Sequence, residues 1–182
     1  MDDIESVSTI IPESNVKNLR FNNPKTPDQA RFSMTYTAAA LLHTNGLTLH
    51  DFTEQGLART EVQDFIPKVS MQSAPSPETE ETGIWDTPAK TTLFLKNGQK
   101  LESEIYQPVG TLYSPLSNQD LETKFFECAG RSLPFDQARR LFNCLQDFEQ
   151  YNARDIASFL RNVEANRDRS SHQLVPEYKM DF

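Results

Sequence analysis

The sequence predicts an α+β fold with a helical appendage at its C-terminal end. Up to Pro108, segments rich in β-branched residues alternate with helical patterns. After Pro108, only helical patterns with recognisable N-terminal signals follow one another. We therefore divide the chain into an α+β domain at 1–116 and C-terminal helices at 117–165. The charged, aperiodic segment 166–182 is expected to be a disordered tail.

The first predicted element is a strand. Segment Glu5–Pro12 is rich in Ile, Val and Thr and ends at a proline, which is typical of a strand. Segment Glu13–Lys25 holds Asn, Pro and Lys with little periodicity, and we interpret it as a loop.

One long helix is predicted next, and it carries the clearest start signal in the chain. Thr26 is suited to the N-cap, Pro27 to the first helical position and Gln29 to closing a capping box. The pattern continues through Leu42 and stops near Asn45-Gly46, which favours a left-handed terminator. Because this helix is apolar nearly all round, we expect it to be buried at the centre of the domain.

Shorter elements follow this helix. Helical patterns occur in Leu49–Leu57 and Thr60–Ile66, and a strand candidate occurs at Val69–Gln72. Segment Ser73–Lys90 is rich in proline and acidic residues and is interpreted as an exposed loop.

A hairpin completes the strand-rich part of the sequence. Its strands are predicted at Thr92–Leu95 and Leu101–Tyr106, and the Asn97-Gly98 pair between them favours a type I′ turn.

Three helices are predicted after the hairpin. Ser117 caps the first, which ends at Gly130, Pro134 opens the second, and Asn152 caps the third. Apolar residues at helical spacing support the second and third helices: they are Leu141, Leu145, Phe148, Ile156, Phe159, Leu160 and Val163.

Composition excludes several classes of protein. The formal net charge of −8 argues against nucleic acid or an anionic membrane as partner, because both require clustered Lys and Arg. No apolar run approaches the roughly 20 residues of a membrane span. The N-terminus is acidic and therefore unlike a signal peptide. Cys128 and Cys144 are expected to be reduced structural thiols. A cytoplasmic protein is the resulting expectation.

Familiar catalytic motifs do not occur in the sequence. It holds no Gly-rich phosphate loop, no Cys-x-x-Cys pair, no Gly-x-Ser-x-Gly elbow and no His-Glu-x-x-His motif. Its three histidines show no metal-ligand spacing. We therefore expect no metal and no organic cofactor, and residue patterns alone do not reveal an activity.

A family resemblance goes further than these patterns. The run from Pro24 to Leu42 resembles the signature P-x-T-x-x-E-A-R-F-S-x-x-Y-x-x-A-x-x-L, which opens the C-terminal part of MmgE/PrpD proteins. Four further stretches resemble the family in the same order: Phe52 to Val69, Lys96-Asn97-Gly98, Pro108 to Ser117, and Leu121 to Phe125. One departure is the helix end, where the family usually reads L-L-D-G and this chain reads L-L-H-T-N-G.

The resemblance implies a lyase, since the family includes 2-methylcitrate dehydratase and cis-aconitate decarboxylase. Such an enzyme acts on citrate- or aconitate-like tricarboxylic acids, by proton abstraction beside a carboxylate with loss of water or carbon dioxide. The implied fold for this chain is a small mixed lid domain that closes over the substrate. The family's large helical domain is not represented here, so a second chain that supplies it, or a homo-oligomer, is an implied partner.

Three residues of the signature become site candidates. The resemblance favours Tyr36 as a catalytic residue that donates a proton or a hydrogen bond, and Arg31 and Ser33 as substrate contacts. On a straight helix, Ser33 and Tyr36 lie about 60° apart, whereas Arg31 lies about 140° from Tyr36. The alternative is structural: Arg31 pairs with a nearby carboxylate, Ser33 bonds to the helix backbone, and Tyr36 packs in the core.

Three hypotheses about function stay open at this point. The chain is a partnered lyase, or a truncated homologue without activity of its own, or an unrelated binding module. The ordered motifs disfavour the third.

Overall fold

The computed structural model describes residues 3–74 and 87–161, of which 158–161 are described by their backbone alone. The chain divides into two compact units, Met1–Ser114 and Pro115–Phe182. Strands and helices occur together, which confirms the predicted α+β class. The predicted tail, Val163 and most of the predicted loop before the hairpin lie outside the described residues.

A four-stranded sheet forms the first unit. Its strands are β1 (Ile4–Ile11), β2 (Val69–Ser73), β3 (Ala89–Leu95) and β4 (Lys100–Ile105). Their order in the sheet is β2-β1-β3-β4. β1 pairs in parallel with β2 and antiparallel with β3, and β3 pairs antiparallel with β4. The predicted first strand, the Val69 strand and the hairpin strands are therefore confirmed, with ends shifted by a few residues.

Five helices accompany this sheet in the described part of the first unit: α1 (Glu13–Asn18), α2 (Pro27–Ala30), α3 (Met34–Thr44), α4 (Glu54–Leu57) and α5 (Thr60–Phe65). Two 3₁₀ turns, Leu49–Phe52 and Ile66–Lys68, lie before α4 and after α5.

The core of the first unit lies between one face of the sheet and α3 with α5. Val7 is buried on that face and pairs in register with both Val69 and Leu93. Ala39 and Ala40 of α3 are fully buried in the same core cluster as Val7. Small alanine side chains let neighbouring elements approach the helix closely, which explains the run of alanines in α3.

The predicted loop at Glu13–Lys25 is wrong in its first part, where the chain forms α1. This helix has no side-chain cap, and the carbonyl of Pro12 accepts from the backbone N–H groups of Asn15 and Val16 at 2.9 and 3.2 Å. Lys17 pairs with Glu13 at 3.0 Å, one helical turn apart. No residue of α1 is buried, so the sequence carries no apolar period that could have revealed it.

The single long helix is also wrong, because the chain breaks it into α2 and α3. Thr26 caps α2 as predicted, and its hydroxyl accepts from the N–H of Gln29 at 3.3 Å. The break falls at Ser33, whose extended backbone and side-chain oxygen begin a second helix. Serine competes with the helix for backbone groups, which explains a cap inside an otherwise helical pattern. The left-handed stop at Asn45, with a φ of 52°, is confirmed.

The hairpin turn differs from the predicted type. A type I′ turn needs positive φ at both central residues. Gly98 has a φ of 85°, but Asn97 is not among the described residues with positive φ. The N–H of Gly98 donates to the carbonyl of Leu95 at 2.9 Å, and the N–H of Leu95 donates to the carbonyl of Gln99 at 2.9 Å. This arrangement indicates a longer loop with one glycine in the left-handed region.

The second unit contains α6 (Asn118–Ala129), α7 (Phe135–Gln146), a 3₁₀ turn and α8 (Ala153–Arg161). Ser117 and Asp120 close a full capping box on α6, and the side chain of Asn152 accepts from the N–H of Asp155 at 2.9 Å, so both predicted caps are confirmed. Leu141 is buried, whereas Leu145 and Phe148 are exposed. Cys128 and Cys144 are both free.

Candidate active site

Ser33 occupies the break between α2 and α3, where its hydroxyl makes two hydrogen bonds. It accepts from the N–H of Tyr36 at 3.1 Å, which caps α3. Thr35 lies 3.0 Å away, and the Thr35 hydroxyl itself donates to the carbonyl of Asn22 at 2.7 Å. The Ser33 hydroxyl therefore donates to Thr35. Ser33 is fully buried, and its hydroxyl proton is already engaged.

Tyr36 lies on the first turn of α3 and is completely buried. Its hydroxyl donates to the backbone carbonyl of Asp51, in the 3₁₀ turn that follows α3. The ring packs edge-on against Phe52, with ring centres 6.2 Å apart. The phenol thus joins α3 to the segment Thr48–Arg59 at the centre of the unit.

Asp51 is a buried carboxylate whose oxygens are both engaged. One oxygen accepts from the N–H and the hydroxyl of Thr48, at 2.7 and 3.0 Å, and this closes a capping box on the 3₁₀ turn. The other oxygen accepts from the guanidinium of Arg59. A buried charge that is paired and hydrogen-bonded in this way is compensated for the loss of water.

Arg59 completes the network from the start of α5. Its Nε donates to the carbonyl of Gly56 at 3.0 Å, while its terminal nitrogen donates to Asp51. The chain is wound tightly here, because a Cβ at Gly56 would lie 2.3 Å from the carbonyl oxygen of His50. The side chain of Arg59 is 22% exposed, against 1% for Asp51. Arg59 is therefore the member of the network that reaches the surface.

The electrostatics of the network keep Tyr36 neutral. Burial raises the pKa of Tyr36 above its ordinary value, although a hydrogen bond and the positive charge of Arg59 act in the opposite direction. Burial acts to lower the pKa of Arg59, but the hydrogen bonds and charges of Asp51 and Tyr36 together outweigh it, so the pKa of Arg59 is raised. The result is a protonated phenol beside a charged guanidinium, and a neutral phenol is a potential proton donor.

Arg31 lies apart from this network. Its side chain is 60% exposed and faces Asp28 at 3.6 Å on the surface of α2. The structure thus brings Ser33 and Tyr36 together and leaves Arg31 outside. A surface ion pair of this kind contributes little to stability, so the Arg31 guanidinium is available to another carboxylate.

The residue pattern does not single out Asp51 or Arg59 as site residues. One signal was present, because Thr48 and Asp51 have the spacing of a capping box. Their link to Tyr36 carries no such signal, since it depends on how the chain folds back between α3 and α5. Within the described ranges, no cluster of His, Cys, Asp or Glu could hold a metal ion. No helix in these ranges is long and apolar enough to cross a membrane.

The fold and this network define a small α+β domain with a neutral phenol, a carboxylate and a guanidinium at its centre. Residues 1–150 match the MmgE/PrpD C-terminal domain. The chain therefore belongs to the MmgE/PrpD family, which confirms the resemblance found in its motifs.

Two relatives carry the name cis-aconitate decarboxylase. The protein from Homo sapiens is 27% identical over 148 residues, which cover 81% of this chain and 30% of the relative. The protein from Mus musculus is 26% identical over 170 residues, which cover 93% of this chain and 34% of the relative. The chain thus spans about a third of the length of these relatives.

Proposed function

We propose that this chain is the lid-like part of a lyase that acts on a tricarboxylic acid of the cis-aconitate or citrate class. Family membership over residues 1–150 supports the lyase class. The name of the two relatives supports the substrate class. Tyr36 is the residue to which we assign the chemistry, because its buried hydroxyl at the start of α3 is neutral.

Tyr36 is proposed to act as the general acid. When a β,γ-unsaturated carboxylate loses carbon dioxide, the electron pair of the broken bond stays on carbon and must take up a proton. When a hydroxy acid loses water, a base removes a proton from the neighbouring carbon, and the departing hydroxide must take up a proton. A neutral phenol suits either demand, so this role does not depend on which group leaves. To take this proton, the substrate must displace the bond between the hydroxyl and the carbonyl of Asp51.

Arg31 is proposed as a contact for a substrate carboxylate. Its planar guanidinium can bind a carboxylate through two parallel hydrogen bonds, and its side chain is exposed. A substrate contact by Ser33 stays a prediction, and its two internal hydrogen bonds favour a role in beginning α3.

Activity is proposed to require the part of the family protein that this chain does not cover. The test is a chimera in which this chain replaces the matching C-terminal third of the Homo sapiens relative. We expect the 182-residue chain alone to turn over neither cis-aconitate nor 2-methylcitrate, and the chimera to be active. Product can be followed by proton NMR.

Matched variants of the chimera test the residue roles. Tyr36→Phe should lower kcat by about 10²-fold, whereas Tyr113→Phe, at a site 75% exposed, should leave it unchanged. Arg31→Lys should raise KM, because it keeps the charge and loses the planar fork.

A second candidate is a homologue without enzymatic activity. The bond from the Tyr36 hydroxyl to a backbone carbonyl favours this alternative, because it engages the hydroxyl proton within the protein. A folded chimera that binds cis-aconitate but shows no turnover would support it over the lyase.

A further inference from the structure

We infer that Asp51 and Arg59 are positioning residues for Tyr36, which act on the reaction through the phenol and not by contact with substrate. This inference rests on the proposed role of Tyr36 as the general acid. It assigns a function to two residues that follow α3 in the chain, one in the 3₁₀ turn and one at the start of α5.

Asp51 contributes to the site twice, through its side chain and through its backbone. Its carboxylate is fixed by Thr48 on one side and by Arg59 on the other. Its backbone carbonyl accepts the proton of Tyr36. Because the side chain is held at both oxygens, the carbonyl is aimed at one point, and the phenol is held there with it.

Asp51 and Arg59 form an ion pair that is largely buried. Removing two charges from water is costly, and apolar residues of similar volume often give equal or greater stability. The ion pair is therefore weak evidence that Asp51 and Arg59 serve stability alone. Their position beside a titratable phenol suits an electrostatic role, because charges in a poorly solvated environment act strongly on a neighbouring ionisation.

The charges of Arg59 and Asp51 act on Tyr36 in opposite directions. Once Tyr36 has donated its proton, a negative phenolate is left in a buried position, and the guanidinium of Arg59 stabilises that charge. Arg59 and Asp51 are the charged groups that act on Tyr36, the first lowering its pKa and the second raising it. Asp51 in turn keeps Arg59 charged and in place.

The test is a titration of Tyr36 in the full 182-residue chain, followed by the absorbance of the phenolate. The chain has five tyrosines, so each curve is read as the difference from the same protein carrying Tyr36→Phe. Arg59→Met keeps the aliphatic packing and removes the cation, and it should move the ionisation of Tyr36 to higher pH. Arg59→Lys keeps the charge and should restore much of the parent behaviour.

A structural control comes from the second unit, where Arg139 is bonded to Glu122. Arg139 is 36% exposed, against 22% for Arg59. Arg139→Met removes this arginine from another carboxylate and should leave the Tyr36 titration unchanged. If Arg59 only held the fold together, its loss would let water reach Tyr36, and the ionisation would move to lower pH. An unchanged or lowered midpoint in folded Arg59→Met would therefore overturn the inference.

Asp51→Asn keeps the inference testable should Arg59→Met fail to fold. It removes the negative charge and should move the ionisation of Tyr36 to lower pH, opposite to Arg59→Met. A raised or unchanged midpoint in that variant would count against the electrostatic role.

The titration uses no substrate, so its outcome is independent of the proposed function. In the active chimera, Arg59→Met should lower kcat with little change in KM, and Arg59→Lys should recover part of the loss. If Tyr36→Phe left the chimera fully active, the proposed role of Tyr36 as the general acid would fail. The titration would still show whether Arg59 and Asp51 act on the ionisation of Tyr36. If Tyr36→Phe abolished turnover but Arg59→Met did not move the titration, only the positioning role would fail.

Discussion

The effect of Tyr36→Phe on stability depends on the surroundings of the hydroxyl that it removes. A hydroxyl that faces a wet cleft would cost about 1 kcal/mol or less to remove. In the structure Tyr36 is completely buried, and its hydroxyl donates to the carbonyl of Asp51. The substitution removes this donor, so the buried carbonyl of Asp51 loses a hydrogen-bond partner.

The magnitude follows from the chemistry of the group that remains. A buried polar group that loses its hydrogen-bond partner costs about 1–3 kcal/mol. The phenylalanine ring keeps its edge-on contact with Phe52, so little packing energy is lost with the hydroxyl. Since a domain is stable by roughly 5–15 kcal/mol, a loss of this size is readily measured.

Urea unfolding followed by circular dichroism measures the change in the free energy of unfolding. The matched control is Tyr113→Phe, because Tyr113 is 75% exposed and should show a change within about 0.5 kcal/mol. A loss below about 0.5 kcal/mol in Tyr36→Phe as well would show that water replaces the bond to Asp51. The interpretation of Tyr36 as a link between α3 and the Thr48–Arg59 segment would then be refuted.

The same substitution should change the alkaline stability of the chain. Burial raises the pKa of Tyr36 in the folded protein, so the folded state keeps this proton at pH values where the unfolded state loses it. The stabilisation is complete below the unfolded pKa of about 10 and is lost as pH rises from there through the folded pKa. Parent protein should therefore lose stability above about pH 10 more steeply than Tyr36→Phe does.

Two further substitutions test the packing and the caps. Gly56→Ala should destabilise the first unit by about 1–3 kcal/mol or more, because the new Cβ meets the backbone carbonyl of His50, and urea unfolding measures it. Ser117→Ala should cost about 1 kcal/mol, since it removes the cap of α6. Bonds from Ser117 lower the pKa of Asp120, so this stabilisation is present above the unfolded pKa of about 4 and is lost as pH falls below it. The difference in stability between parent and Ser117→Ala, followed by circular dichroism, should therefore be smaller at about pH 3 than at about pH 6.

Short sequence patterns predicted those elements whose ends depend on a few adjacent residues. The strand at the start of the chain, the caps at Thr26 and Ser117 and the stop at Asn45 were found, because each depends on a few adjacent residues. The break at Ser33 was missed, since the same serine is compatible with a helix interior and with a cap. Which of the two forms depends on contacts with distant residues, such as the bond between Thr35 and the carbonyl of Asn22.

The candidate site was predictable only in part for a related reason. Tyr36 was found because it belongs to a signature that resembles a family, and periodicity alone did not single it out. Asp51 meets the hydroxyl of Tyr36 only because the chain turns back after α3 and winds tightly at Gly56. Nothing in the residue pattern specifies that path, so the partners of Tyr36 became visible with the fold.

The central place of β1 in the sheet has a consequence for the synthesis of the protein on the ribosome. β1 is made before β2 and β3, so its hydrogen-bonding partners come much later, as with Thr9, which bonds to Ser70, 61 residues further on. Until β2 and β3 have left the exit tunnel, a strand with Val7, Ile10 and Ile11 has both edges unpaired. The nascent chain is therefore most prone to aggregation before Leu95 emerges. Slow translation of the segment before Leu95 lengthens that period.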